Sequence, residues 1–99
     1  MGLAIRLEKA SGVCLEERTD DRNLLHKVLP QDGNSILSGI DWYGDTIFNG
    51  QQMRQFVPAI QKLIEEQSNS EINELLFAIV TMAQRCAEGV HLYLKFVGD

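Results

Sequence analysis

Two stretches of helical periodicity, set between strand-like segments, most constrain the fold of this chain. Apolar residues recur at helical spacing over residues 53–64 and again over residues 72–86, as in amphipathic helices that each bury one face. Residues 3–8 and 90–97 instead alternate apolar and polar side chains, the period of half-buried strands. We predict an α+β domain with a small antiparallel or mixed sheet, a C-terminal helix pair packed on one face and a closing C-terminal strand.

The first half of the chain has weaker local signals. The alternation of residues 3–8, followed by a turn at residues 10–12 and a second apolar run, predicts an N-terminal hairpin. Residues 24–29 fit either a helical turn or an irregular strand. The residues from 35 to 40 follow a polar turn and are predicted to form a short strand.

The helix boundaries follow from capping residues and proline. Asn49 is predicted to cap a helix beginning at Gly50, with Asp45-Thr46 as an alternative cap. Pro58 implies that the regular helix begins close to it or that an earlier first turn is kinked.

The second helix is expected over residues 70–87. Ser68 and Glu71 have the spacing of a capping box, and Gly89 is expected to end the helix in a left-handed conformation.

Length and composition indicate one domain over residues 1–99. A chain of 99 residues is long enough to bury one hydrophobic core without a metal or disulfide, and no apolar run approaches the roughly 20 residues needed to span a bilayer. The N-terminal residues lack a signal-peptide pattern. We therefore expect a cytoplasmic protein with no membrane interaction and no cofactor.

The charge balance disfavours nucleic acid as a partner. The net charge is −5, from 14 acidic and 9 basic residues, whereas phosphate contacts require Lys and Arg. A basic protein partner fits better. Cys14 and Cys86 are far apart and have no metal-binding or redox spacing, so two reduced thiols are predicted.

The segment of residues 40–49 contains more chemistry than a turn requires. Asp41 and Asp45 flank Trp42 and Tyr43, and acidic and aromatic side chains together are suited to contacting a basic surface. These four residues are candidate partner-binding residues. A second acidic group provides four more: Glu16, Glu17, Asp20 and Asp21.

Two other interpretations of this segment remain open. Asp41 and Asp45 could form, together with a histidine, the active site of a metal-dependent hydrolase if a bend brings the two carboxylates together. Alternatively the segment is structural: Tyr43 and Phe48 pack inside, Gly44 makes a turn, and the polar residues accept from backbone N–H groups.

Residues 40–49 and 91–99 resemble a group of short bacterial proteins. The pattern of that group is approximately Ile-Asp-x-Tyr-Gly-Asp-Thr-x-Phe-Asn, a helical middle, and a closing Leu-Tyr-x-x-Phe-x-Gly-Asp. The matching residues are Asp41, Tyr43, Gly44, Asp45, Thr46, Phe48 and Asn49, then Leu92 or Leu94, Phe96, Gly98 and Asp99. The group is associated with toxin immunity, including contact-dependent growth inhibition, and no catalytic residue is transferred from it.

The resemblance and the acidity lead to one functional hypothesis. We expect a non-enzymatic immunity protein that binds and neutralises a cognate toxin, with a basic nuclease as the expected toxin class, because an acidic inhibitor complements a phosphate-binding cleft. The alternatives are the metal-dependent hydrolase and a regulatory module that homodimerises through a strand edge or the second helix.

Overall fold

The computed structural model describes residues 2–98 and contains a four-stranded sheet and two α-helices. The elements are β1 (Ala4–Lys9), β2 (Cys14–Thr19), β3 (Asp45–Asn49), α1 (Met53–Glu66), α2 (Ser70–Glu88) and β4 (Leu92–Val97). Two 3-10 helices, Leu25–Lys27 and Ile36–Gly39, lie in the connection between β2 and β3. The predicted α+β class, helix pair and closing strand are confirmed.

The sheet is antiparallel throughout. Its strand order is β2-β1-β4-β3, and each neighbouring pair runs antiparallel. The last strand in sequence therefore lies inside the sheet, and β2 and β3 form its two edges. The N-terminal hairpin is confirmed, with Gly12 at φ 93° in its turn, a conformation that glycine adopts without steric cost.

The core fills the space between one sheet face and the helices. An aromatic cluster is formed by Phe48 of β3, Phe96 of β4 and Phe56 of α1. The ring centroid of Phe48 lies 5.2 Å from that of Phe56 and 5.9 Å from that of Phe96. All three side chains are buried. Because aromatic rings at this spacing contribute beyond their buried area, the cluster fixes α1 over the β3–β4 pair.

Asn49 and Gln52 start α1 with a reciprocal pair of hydrogen bonds. The backbone N–H of Asn49 donates to Gln52 Oε1 at 2.8 Å, and the N–H of Gln52 donates to Asn49 Oδ1 at 2.9 Å. Asn49 therefore bonds to the segment that leads into α1, but the predicted helix start at Gly50 is wrong, because α1 begins at Met53 with Gln52 at its N-cap position. The alternative cap at Asp45-Thr46 is wrong because both residues lie within β3, well before α1. The helix continues through Pro58, so it begins before the proline.

Asn69, not Ser68, caps α2. Its Oδ1 accepts from the N–H groups of Glu71 at 2.9 Å and Ile72 at 3.1 Å, so the predicted Ser68 cap is wrong. The left-handed conformation predicted for Gly89 is also wrong, since its φ is −85°. His91 takes the positive φ, 57°, two residues later.

The predicted strand at residues 35–40 is wrong. These residues include the 3-10 helix Ile36–Gly39, which begins where Ser35 Oγ accepts from the Leu37 N–H at 3.2 Å. A serine at this point competes for backbone N–H groups and so favours a turn over a ladder. The ambiguous residues 24–29 contain the other 3-10 helix. None of the helices within residues 2–98 has the length and apolar character needed to cross a bilayer.

Candidate partner-binding surface

Residues 41–44 form a turn that leads into the edge strand β3. The backbone N–H of Asp41 donates to Thr46 Oγ1 at 2.8 Å, and Asp41 Oδ1 accepts from the N–H of Tyr43 at 2.9 Å. At the base of the turn, the N–H of Gly98 donates to the C=O of Gly44 at 2.7 Å. We call residues 41–45 the Tyr43 turn. Its backbone is held at three points, so Tyr43 projects from a fixed support.

Trp42 and Tyr43 have different environments. Trp42 is half-buried against the core, and its ring lies 5.0 Å from that of His26 in an edge-to-face arrangement. Tyr43 is 84% exposed. The structural interpretation that packed Tyr43 inside is therefore wrong, although it holds for the buried Phe48. Of the two aromatics in the turn, Tyr43 is the one available to a partner over its whole ring.

Asp41 and Asp45 are both exposed but have separate contacts. Asp41 Oδ1 accepts a bond within the turn, whereas Asp45 Oδ2 lies 3.5 Å from Lys95 Nζ on β4. The ion pair is solvated and offsets part of the acidity of the turn. The two carboxylates are thus held by different neighbours, and within residues 2–98 no group of three or more His, Cys, Asp and Glu side chains is placed to hold a metal ion.

The second acidic group, which contains Glu16 and Glu17, lies at the opposite edge of the sheet from the Tyr43 turn. Glu16 and Glu17 belong to the edge strand β2 and Asp45 to the edge strand β3, about 14 Å apart across three strand spacings. Glu16 Oε2 lies 2.5 Å from Arg85 of α2, and Glu17 Oε2 lies 3.5 Å from Arg6 of β1. The two acidic groups predicted to bind a partner therefore do not form one continuous patch.

Asp20 is a structural residue. It is 2% exposed, and its Oδ1 and Oδ2 atoms accept from the N–H groups of Leu24 and Leu25 at 2.8 Å each. The prediction that placed Asp20 on a contact surface is corrected because both carboxylate oxygens cap the first 3-10 helix. The neighbouring Asp21 is exposed. The two bonds span four and five residues along the chain, so no local capping pattern in the sequence marks Asp20.

A groove at the other end of β3 was not predicted from the sequence. Its volume is about 880 Å³. It lies between the start of α1, the end of α2 and the start of β4, and includes Arg54, Glu88, His91 and Tyr93. Because these residues come from three separate elements, no local motif marks the groove. The Tyr43 turn lies at the opposite end of β3.

The two cysteines are free thiols, as predicted. Cys86 is buried and Cys14 is half-buried. Burial raises the pKa of the Cys86 thiol. Since that thiol is enclosed in the core, it is a packing residue of α2 and is not exposed to a partner.

Comparisons with known proteins leave the resemblance of residues 40–49 untested. The chain matches no family model, no curated protein and no solved structure. The structure does bring the two parts of the resembling pattern together, because residues 45–49 pair with residues 93–97 in the β3–β4 ladder. Asp99, the last residue of the pattern, lies outside the described residues.

Proposed function

We propose that this protein is an immunity protein that binds and neutralises a cognate bacterial toxin through the Tyr43 turn. The observation that carries the proposal is the 84% exposure of Tyr43 on a turn whose backbone is held by three hydrogen bonds. A large exposed aromatic has no role in packing this fold. In this proposal, Tyr43 contributes instead to a contact with the toxin.

The rigid support of Tyr43 favours tight binding. Tyrosine supplies a large contact area with few rotatable bonds, and residues of this type often carry much of the binding energy of an interface. Because the turn is already held in place, little backbone entropy is lost when a partner covers it. Trp42 is half-buried and packs against the core, so it anchors the turn from the core side and offers its remaining surface to the contact.

The charge around the turn favours a basic partner. Asp41 and Asp45 flank the aromatics, and the whole chain carries a net charge of −5. A nuclease toxin has a basic cleft because it must hold phosphate, so an acidic inhibitor would be drawn to it and would associate faster. In this proposal, inhibition follows from occlusion of the cleft and takes place in the cytoplasm of the producing cell. The motif resemblance to immunity-associated proteins points to the same function.

The first test is whether a toxin gene lies beside this gene, and the second is inhibition of the toxin that it encodes. Co-expression with that toxin in a bacterial host is expected to restore growth, and titration calorimetry is expected to show a direct complex. Tyr43→Ala should weaken the complex about 30-fold or more, the effect of losing a central contact residue. Phe77→Ala is the matched control, because Phe77 is another exposed aromatic, on α2. The affinity of Phe77→Ala for the toxin should equal that of the wild type.

A charge variant tests separately whether the acidic residues of the Tyr43 turn attract the toxin. Asp41→Asn keeps the Oδ1 acceptor for the Tyr43 N–H but removes the charge, so it should lower the association rate and its salt dependence while leaving dissociation nearly unchanged. Equal loss of binding in Tyr43→Ala and Phe77→Ala, or full growth protection by Tyr43→Ala without a measurable complex, would contradict binding through this turn.

A further inference from the structure

The outer edge of β3 has free backbone groups at defined positions. In an antiparallel ladder, residues alternate between those that bond to the neighbouring strand and those that point away from it. The N–H of Gly98 donates to the C=O of Gly44, so every second residue along β3, counted from Gly44, bonds to β4. Thr46 and Phe48 therefore bond to β4, and the N–H and C=O groups of Asp45 and Ile47 point away from the sheet.

The two edges of the sheet differ in their protection. The β2 edge has three charged residues in succession, Glu16, Glu17 and Arg18, and a break in its register with β1. Charges and bulges of this kind prevent pairing between molecules. The β3 edge contains one charged residue, Asp45, its register with β4 is continuous, and Ile47 at its centre is 56% exposed. The β3 edge is therefore open to another strand.

We infer that a second copy of this chain pairs with the β3 edge, antiparallel and about a two-fold axis at Ile47. The two Ile47 residues then exchange both of their backbone hydrogen bonds, and their exposed side chains contact each other. The pairing joins the two four-stranded sheets into one. It leaves only the protected β2 edges at the ends, as expected of a closed two-fold assembly.

The side chains of β3 fit this symmetric register. With Ile47 on the axis, Asp45 of one copy lies opposite Asn49 of its partner, so each carboxylate faces an amide. An axis at Asp45 would instead place two carboxylates opposite each other, which is destabilising. The N–H of Asn49 is already bonded to Gln52. Each end pair is therefore closed by the Asp45 N–H donating to the partner's Asn49 C=O.

The dimer and the proposed toxin contact use different residues at their centres. Tyr43 lies before the paired segment, and the antiparallel register places the two Tyr43 turns at opposite ends of the β3–β3 pair. Residues 41–44 of both turns remain outside the paired segment, whereas Asp45 belongs to the Tyr43 turn and to the paired segment. The inference therefore stands on the strand edge alone and is tested on the isolated protein, without a toxin.

Sedimentation equilibrium over a wide concentration range tests the dimer. The wild-type protein should associate reversibly to a dimer. Ile47→Lys, which places two like charges on the axis, should abolish association. Asn49→Asp keeps an oxygen that accepts from the Gln52 N–H but places carboxylates opposite each other, and should raise the dimer dissociation constant about tenfold. The double variant Asp45→Asn/Asn49→Asp restores a carboxylate-amide pair and should recover the wild-type value within about twofold.

Gln61→Glu controls for the added charge. Gln61 is exposed on α1, away from the β3 edge, so this variant adds the same charge as Asn49→Asp but should dimerise like the wild type. Circular dichroism verifies that each variant is folded. A wild-type protein that stays monomeric at all concentrations would overturn the inference. So would a dimer that tolerates Ile47→Lys, or an Asn49→Asp effect that the double variant fails to reverse.

Discussion

Gly98 lies directly against the backbone of Trp42: a Cβ atom at position 98 would be 2.5 Å from the Trp42 carbonyl oxygen. The same glycine donates its N–H to the C=O of Gly44. The end of β4 therefore supports the Tyr43 turn from below. Glycine is needed here for space, because the contact is with backbone atoms that no rotamer change can move.

Gly98→Ala should destabilise the protein by about 2 kcal/mol, because the added methyl group forces the turn away from β4. Urea denaturation followed by circular dichroism measures the change. Gly39→Ala is the matched control, since a Cβ at Gly39 meets no atom within 4 Å, and its stability should change by less than about 0.5 kcal/mol. A similar loss in both variants would show that the close contact is not responsible.

The adjacent acids Asp20 and Asp21 should differ sharply on substitution. Asp20→Ala removes the acceptor of two buried N–H groups, from Leu24 and Leu25, and should cost about 2–3 kcal/mol. Asp21→Ala removes an exposed carboxylate and should stay within about 0.5 kcal/mol. Both values come from the same denaturation experiment. Equal effects would mean that the cap at Asp20 contributes little.

The sequence predicted the regular elements better than the connections. Helical and strand periodicity located α1, α2, β1 and β4 because each buries one face, and burial leaves a repeating pattern. For residues 35–40 the strand prediction was wrong. The segment is too short to show a period, and the hydrogen bond from the Leu37 N–H to Ser35 Oγ starts a 3-10 helix instead.

The candidate surface was predicted by residue type but not by geometry. The sequence singled out the acids and aromatics of the Tyr43 turn, but it could not separate Trp42, which is half-buried beside His26, from the exposed Tyr43. It also grouped acids that strand order places on opposite edges. Exposure and strand order depend on long-range contacts that are made only in the folded chain.

The contact between His26 and Trp42 should be detectable in tryptophan fluorescence. Trp42 is the sole tryptophan, and its ring centroid lies 5.0 Å from the imidazole in an edge-to-face arrangement. His26→Ala removes this neighbour and exposes more of the indole to water, so the emission maximum should move to longer wavelength. His91→Ala, which changes the other histidine of the chain, is the control and should leave the emission spectrum unchanged. An unchanged spectrum in His26→Ala would contradict the contact.

Cys86 should make stability fall as the pH rises into the alkaline range. Burial raises the pKa of its thiol above the ordinary value of 9.0. In the unfolded chain the thiol loses its proton near that value, while in the folded protein it stays protonated to higher pH. The unfolded state then binds fewer protons than the folded state, so the free energy of unfolding decreases with rising pH. Below the ordinary thiol pKa the contribution is fully present.

Cys86→Ala isolates this effect from other alkaline titrations. The variant should be less stable than the wild type at pH 7, because it leaves a small cavity in a fully buried site. Its disadvantage should shrink as the pH rises above about 9, since only the wild type loses the thiol contribution. A stability difference between wild type and Cys86→Ala that is constant from neutral to alkaline pH would show that Cys86 ionises equally in the folded and unfolded chains.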